Sequence, residues 1–254
     1  MIPLQVSIAR GDLGLAELDA PLPLDTLVPP PPGTAATGSG SPWEVEIGFG
    51  KGRYLLRRCL ESPERRFLGI ELVGEYQRLF VDRARRRIPA NAANWVALRG
   101  EAQYLASAVL PAGFADVLHV YFPDPWPKSR HHKRRLFDPE SVDLVLGLLR
   151  PGGRLNFATD FLEYGELVVE LLQGYPGLRI ARRERPWDDG ARTNYEAKYE
   201  VEGRPILRLE GVLEVAGRAP LHPLGVAGVV VGPGEVGGSR DDKDFKDGKD
   251  EEKG

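Results

Sequence analysis

Cysteine is almost missing from this chain: Cys59 stands alone in 254 residues. An intramolecular disulfide and a thiolate zinc cluster are therefore excluded. Cys59 lies within YLLRRCL, a helical pattern that predicts a buried, inert thiol, and the scarcity of cysteine fits a reducing cytoplasm. No apolar run approaches the roughly 20 residues that cross a bilayer, so no membrane partner is expected. The opening MIPLQVSIARGD lacks a basic region, an apolar core and a small-residue cleavage site, and does not read as a signal peptide. There is no repeat of fixed period and no sign of an obligate protein partner. His131 and His132 have no matching Cys/His set, so no metal is expected. An overall basic excess is also absent, the net charge being -3, but that average hides three basic clusters, Lys128–Arg135, Arg83–Arg87 and Arg179–Arg185. A chain that is acidic overall can still grip phosphate locally.

What is present is enough for one α/β domain with a full core, 42% of the residues being hydrophobic. Residues 1–42 read as a flexible extension, because PLPLDTLVPPPPGTAATGSGS (21–41) is rich in Pro, Gly, Ala, Thr and Ser. The folded domain is expected over residues 43–215. Strands are predicted at 44–47, 66–71, 94–101, 116–122 and 154–160. Between and after them, helices are expected from about Arg53, on a face of Tyr76, Leu79, Phe80 and Ala84, over 102–110, from an Asp138 cap and Pro139 to Leu149, and over 162–173. Alternation of this kind predicts a mostly parallel, Rossmann-like sheet with helices on both faces. Beyond Leu178, LRIARRERP and YEAKYEVEGRPILRLEGVLEV read as strands without intervening helices, a closing antiparallel hairpin. Residues 216–254 turn to Gly, Pro and Val and then to mixed charge, and read as a disordered tail.

In an open α/β sheet, ligands lie outside the carboxyl ends of the strands. An acid marks each of those ends here: Glu46, Glu71, Glu101, Asp124 and Asp160. Several carboxylates around one crevice repel one another unless a cation, hydroxyls or amines neutralise them. Gly48, Gly50 and Gly52 follow the first of these strands and let the backbone pass close to a ligand. Their G-x-G-x-G spacing differs from the G-x-G-x-x-G of dinucleotide folds, and Lys51 lies between two glycines with no Ser or Thr behind it, which excludes a P-loop. Glu71, 21 residues after Gly50 (71 − 50), is placed to hold ribose hydroxyls. Glu46 suits a cationic ligand and would oppose a pyrophosphate.

The fourth of these strands runs into Phe122-Pro123-Asp124-Pro125-Trp126-Pro127 and then the basic run from Lys128 to Arg135. The prolines stiffen the loop and hold Asp124 just past the strand end. Trp126 is expected either beside a planar ligand or as a cap on the strand end. The basic run suits a polyanion. RARRR (83–87), by contrast, reads as a solvated helix face.

Together EIGFGKG (46–52), GIE (69–71), FPDPWPKSRHHKRR (122–135), ATD (158–160) and TNYEAKY (193–199) resemble the bacterial tRNA (guanine-N7)-methyltransferases, in order, across about residues 43–215. The resemblance implies a class I methyltransferase fold, S-adenosylmethionine as donor (S-adenosylhomocysteine as product), and a guanine in the tRNA variable region as target. It implies cofactor contacts from Glu46, Glu71, Glu101 and Asp124, with Asp124 as the active-site acid. Lys128, Asp160, Thr193, Asn194, Tyr195 and Glu196 match substrate positions. Ser129, Arg130, His131, His132, Lys133, Arg134 and Arg135 match the segment that meets RNA. Glu101 departs from the family pattern, where Asp is commoner, and reaches one methylene further. Residues before Trp43 and after Ala216 have no counterpart. The competing expectations are a class I methyltransferase acting on another RNA or a small molecule, and a non-catalytic RNA-binding protein on this fold. The basic loop opposes a small-molecule substrate, and the intact glycines and Glu71 oppose the non-catalytic reading.

Overall fold

The computed structural model describes residues 5–13, 21–31 and 41–214. Among them nine strands form one sheet. They are β1 (Gln5–Ile8), β2 (Gly11–Leu13), β3 (Trp43–Ile47), β4 (Arg66–Glu71), β5 (Trp95–Arg99), β6 (Ala115–Tyr121), β7 (Leu149–Thr159), β8 (Leu178–Arg182) and β9 (Leu207–Leu213), in the spatial order β2-β1-β5-β4-β3-β6-β7-β9-β8. The five central strands, β5-β4-β3-β6-β7, are parallel; the pairs outside them are antiparallel. The helices are α1 (Leu24–Leu27), α2 (Arg53–Glu61), α3 (Gly74–Arg87), α4 (Ala102–Ala108), α5 (Val142–Leu146), α6 (Leu162–Gln173) and α7 (Asn194–Val201).

Strand periodicity sorts the apolar residues into two cores. On β4 and β5, Phe67, Trp95 and Ala97 point to one face, while Leu68, Ile70, Val96 and Leu98 point to the other. The first face is covered by Leu55, Leu56 and Cys59 of α2 and Phe80, Val81 and Ala84 of α3. The second is covered by α4, α5 and α6, through residues such as Leu105, Val145 and Val168. Strands buried on both faces need nearly continuous apolar runs, which is why these segments are legible as strands. Burying each large side chain contributes about 1.5–3 kcal/mol. Gln77, Phe80, Val81 and Ala84 are the fully buried residues along the inner face of α3, whereas Tyr76 and Leu79 sit half-buried at its margin.

Three expectations change. The first concerns the N-terminal extension. Gln5–Leu13 forms a hairpin whose β1 pairs antiparallel with β5, Val6 against Leu98. Val6 is fully buried, and Ser7 Oγ accepts a hydrogen bond from Gln77 (2.7 Å). Leu22, Leu24 and Val28 join the larger core, and Asp25 pairs with the buried Arg66, whose guanidinium lies 4.6 Å from the Trp43 ring centre. Proline-rich composition masked three well-spaced apolar anchors. Residues 14–20, 32–40 and the expected tail, 215–254, lie outside the described residues.

The second change is α7, where a strand was expected. Thr193 Oγ1 accepts from the Glu196 amide (2.9 Å), and Thr-x-x-Glu is a helix-start signature that outweighs the β-propensity of Tyr195 and Tyr199. Gly203, at φ 66°, closes the helix. The chain therefore leaves β8, passes through α7 and returns as β9 between β7 and β8. The third is the helix expected from Asp138 to Leu149, which shortens to α5. Asp138 Oδ1 accepts from the amides of Glu140 (2.8 Å) and Ser141 (2.9 Å), making a turn before the helix, and Leu149 already pairs with Ala115 as strand.

Candidate active site

Strand order reverses between β3 and β6, and the glycine-rich turn after β3 sits at that switch point. Gly48, Gly50 and Gly52 have φ of 72°, 55° and 69°, all left-handed. A side chain at Gly52 would also put Cβ 2.6 Å from the Phe80 ring. This turn binds the neighbouring strand end directly. The Gly48 amide donates to Ile70 O (2.8 Å), and the Gly50 amide to Glu71 Oε2 (2.7 Å). The other Glu71 oxygen accepts from the Val73 amide (2.9 Å). Glu71 is thus fixed between two loops at the carboxyl end of β4, with lone pairs to spare.

Three of the five strand-end acids share one electrostatic neighbourhood. Burial, and then the charge of Glu71, push Glu46 up to about 8. Burial raises Glu71 as well, against its amide bonds, with Asp124 adding to the shift. Arg192 and Arg57 offset part of the charge around Glu46. Glu46 Oε2 is nonetheless buried with no hydrogen-bond partner among the described residues. Glu101 is exposed at the cap position of α4, and Asp160 is half-buried after β7. Neither carboxylate forms an ion pair among the described residues.

The loop after β6 is held under strain. Phe122 and Trp126 adopt φ of 51° and 42°, a region that large side chains rarely enter. Both are over-determined by packing. The Phe122 amide donates to Ala158 O (2.7 Å), and its ring meets Tyr199 and Tyr195 at centroid distances of 5.8 and 6.4 Å. Trp126 packs edge-on to His131 (5.7 Å) beneath the Arg134 guanidinium (4.9 Å). Asp124, between these two residues, is exposed. Lys128 is exposed as well, and a six-residue 3-10 helix, Ser129–Arg134, follows it. There Ser129, Arg130, Lys133 and Arg134 are exposed, His131 and His132 half-buried, and Arg130 Nε donates to His131 Nε2 (3.2 Å).

Arg135 departs from the expected RNA contact. It is buried; Nε donates to Pro125 O (2.8 Å), and the guanidinium lies 4.9 Å from the Tyr164 ring centre. Its carbonyl accepts from Gln103 (3.0 Å). Arg135 clamps the Asp124 loop from beneath. Glu196 departs in the same way from the expected substrate contact. It is wholly buried, its oxygens accepting from Arg208 Nε and from the Arg192 amide, each at 2.8 Å. Both of its oxygens are engaged within the protein and neither reaches solvent. Of the same motif, Asn194 accepts from Arg53 (3.1 Å) and Tyr195 is 40% exposed.

Sequence reasoning missed Arg192. Its guanidinium lies 3.9 Å from the Trp187 ring centre, 5.3 Å from Tyr54 and 5.6 Å from Tyr121, and it donates to the Tyr121 hydroxyl. That hydroxyl also meets His119 Nδ1 (2.8 Å), and His119 Nε2 meets Glu44 (3.3 Å). The one available signal was adjacency to Thr193; nothing in spacing links residue 192 to residues 54, 121 and 187. The result is a set of coupled acids at the strand ends, with the half-buried Arg192 beside them and the basic loop following β6.

A family model described as "Putative methyltransferase" matches residues 41–209. The tRNA (guanine-N(7)-)-methyltransferase of Nitrosococcus oceani is 36% identical over 163 residues, covering 64% of this chain and 67% of that protein. That of Alkalilimnicola ehrlichii is 34% identical over 181 residues, covering 68% of this chain and 73% of that one. A crystal structure of a 16S rRNA (adenine(1408)-N(1))-methyltransferase from Catenulisporales acidiphilia has a TM-score of 0.53 at 19% identity, covers 85% of this chain and 99% of that one, and shares the fold. By its matched residues and these relatives, the chain belongs to the tRNA (guanine-N(7)-)-methyltransferase family.

Proposed function

We propose that this protein transfers a methyl group from S-adenosylmethionine to N7 of a guanine in the variable region of tRNA. One observation carries the reading: Glu46 is buried with an unpartnered oxygen at the switch point, electrostatically coupled to Glu71, which in turn feels Asp124. Arg192 and Arg57 offset these acids only in part, and a donor with an ammonium and a sulfonium supplies further positive charge. Glu71, its orientation set by the Gly50 and Val73 amides, suits ribose hydroxyls, and Glu101 borders the same strand ends. When bound, the donor supplies an electrophilic methyl group.

Guanine N7 carries a lone pair and no proton, so no general base is needed to make the nucleophile. The protein's task is alignment and exclusion of water. Positive charge moves onto the purine as the methyl arrives. Asp124, on a loop fixed by Phe122, Trp126 and Arg135, accepts from the guanine edge or balances that charge at no cost in reorganisation. Lys128, Asp160, Thr193, Asn194 and Tyr195 surround the nucleotide. Ser129, Arg130, His131, His132, Lys133 and Arg134 hold phosphates, which positions RNA without reading its sequence. The test is methyl transfer to bulk tRNA followed by chemical cleavage at N7-methylguanine. Scission at one variable-region position is expected; transfer to another base, or none, would sink the proposal.

A further inference from the structure

Helices α2 and α3 leave a groove of about 660 Å³ between them, and arginine lines it. Arg53 and Arg57 come from α2, and Arg83, Arg86 and Arg87 from α3; the one acid in the lining is Glu61. Leu56 and Leu60 supply apolar surface, Leu60 being 45% exposed.

Arginines near the end of α3 would favour the helix dipole wherever they pointed. Arg85, in the same turn, shows the alternative direction: it donates to Ile8 O (2.9 Å) and Asp12 (2.8 Å) and ties down the N-terminal hairpin. Arg86 and Arg87 line the groove instead. Arg57 is neutralised by Asp189 (2.7 Å). Arg53 and Arg83 are held by neutral acceptors, Asn194 Oδ1 and Lys51 O, both at 3.1 Å. Among the described residues, Arg53, Arg83, Arg86 and Arg87 make no ion pair. Four uncompensated guanidinium groups repel one another, a cost that a polyanion along the groove would remove. Their forked donors match phosphate oxygens. The groove is also continuous with the site, since Gly52 ends the glycine turn and Asn194 opens α7.

We propose that this groove is a second RNA surface, seating phosphodiester backbone of the tRNA remote from the guanine that is methylated. It rests on tRNA being the substrate and extends the contact surface well beyond the loop at residues 128–134. The experiment uses the full chain carrying Arg86→Glu with Arg87→Glu. Equilibrium tRNA binding is measured across a salt series without cofactor, and methyl transfer alongside. The expected result at about 100 mM salt is a tenfold or greater loss of tRNA affinity. The slope of log K against log salt should shrink by about one to two, each lost phosphate contact removing roughly 0.7–0.9. The tRNA KM should rise by the same factor, with kcat at saturating tRNA close to the parent's. Arg86→Lys with Arg87→Lys should keep most of the binding. If charge reversal unfolds the protein, Arg86→Gln with Arg87→Gln replaces it. Unchanged affinity and slope in a variant with the parent's thermal midpoint would overturn the proposal. So would an equal loss from Arg10→Glu, an exposed charge outside the groove. A parent that binds tRNA through the groove yet leaves no N7-methylguanine would overturn the enzymatic reading and leave the groove standing.

Discussion

The two ends of β3 treat the same side chain in opposite ways. Glu44 and Glu46 lie two residues apart and therefore point to the same face of the sheet. Glu44 receives Arg58 (2.8 Å), Arg65 (3.0 Å) and His119 (3.3 Å). Burial alone would raise its pKa, but hydrogen bonds and charge from His119 and Arg58 hold it well below the usual carboxylate range. Glu46 is as deeply buried, has an orphaned oxygen, and is pushed up to about 8. Equal burial thus yields one carboxylate completed by the protein and one left for something else to complete. The first secures the fold; the second is where, in the proposed function, the methyl donor gains most by binding.

The largest expected effect would break this contrast at Asp124, the acid proposed to lie nearest the chemistry. Asp124→Asn should lower kcat by about 10²–10³, with S-adenosylhomocysteine affinity within a few-fold of the parent's. Single-turnover methyl transfer and calorimetry check it, and unchanged turnover would remove Asp124 from its role. Next come the two glutamates. Glu44→Ala leaves Arg58 and Arg65 facing an emptied, buried site and should cost about 3–5 kcal/mol of stability in urea unfolding. Glu46→Gln should do the reverse to the fold while weakening S-adenosylhomocysteine at least tenfold.

The pH dependence sharpens the same contrast. In the unfolded chain Glu46 ionises near 4.5, whereas in the folded protein it keeps its proton to about 8. Its contribution to stability therefore declines as pH rises through that window, and Glu46→Gln should raise the thermal midpoint at pH 8 by roughly 3–8 °C. Glu44 has the opposite sign: its stabilisation is present above about 4.5 and lost as pH falls. Binding a cationic ligand must ionise Glu46, so calorimetry at pH 7 in buffers of different ionisation enthalpy should report close to one proton released, and none for Glu46→Gln. The smallest effect is at the cap of α7. Thr193→Val removes the cap on the Glu196 amide and should cost about 1 kcal/mol. Arg208→Leu, which strands Glu196, should cost several times more.

Particular residues explain what could be read in advance. The parallel strands were legible because strands buried on both faces must be nearly all apolar, and RFLGIE at 66–71 can be little else. The glycine turn and the Phe122–Pro127 loop were legible because backbone conformation and proline rigidity are written in single residues. The hairpin at Gln5–Leu13 was not, since a short edge strand carries few alternations, and its partner β5 lies some ninety residues away. Helix α7 was hidden for a related reason: Glu196 is its one buried residue, so it has no apolar stripe to detect. The inward roles of Arg135 and Glu196 were hidden because sequence gives a charge but not its partner. Arg208 and Pro125 O, not composition, decide whether those groups face water.

The hairpin at the start of the chain has a practical consequence. Gln5–Ile8 covers the outer edge of β5, and Arg85 holds the hairpin to α3 through Ile8 O and Asp12. Cutting the protein back to Trp43, as its proline-rich composition invites, would bare a row of unsatisfied amides and carbonyls along a strand rich in apolar side chains. Such a truncated protein would keep the strand ends of β3, β4 and β6 and gain a templating margin, so self-association through added strands would be among its first symptoms.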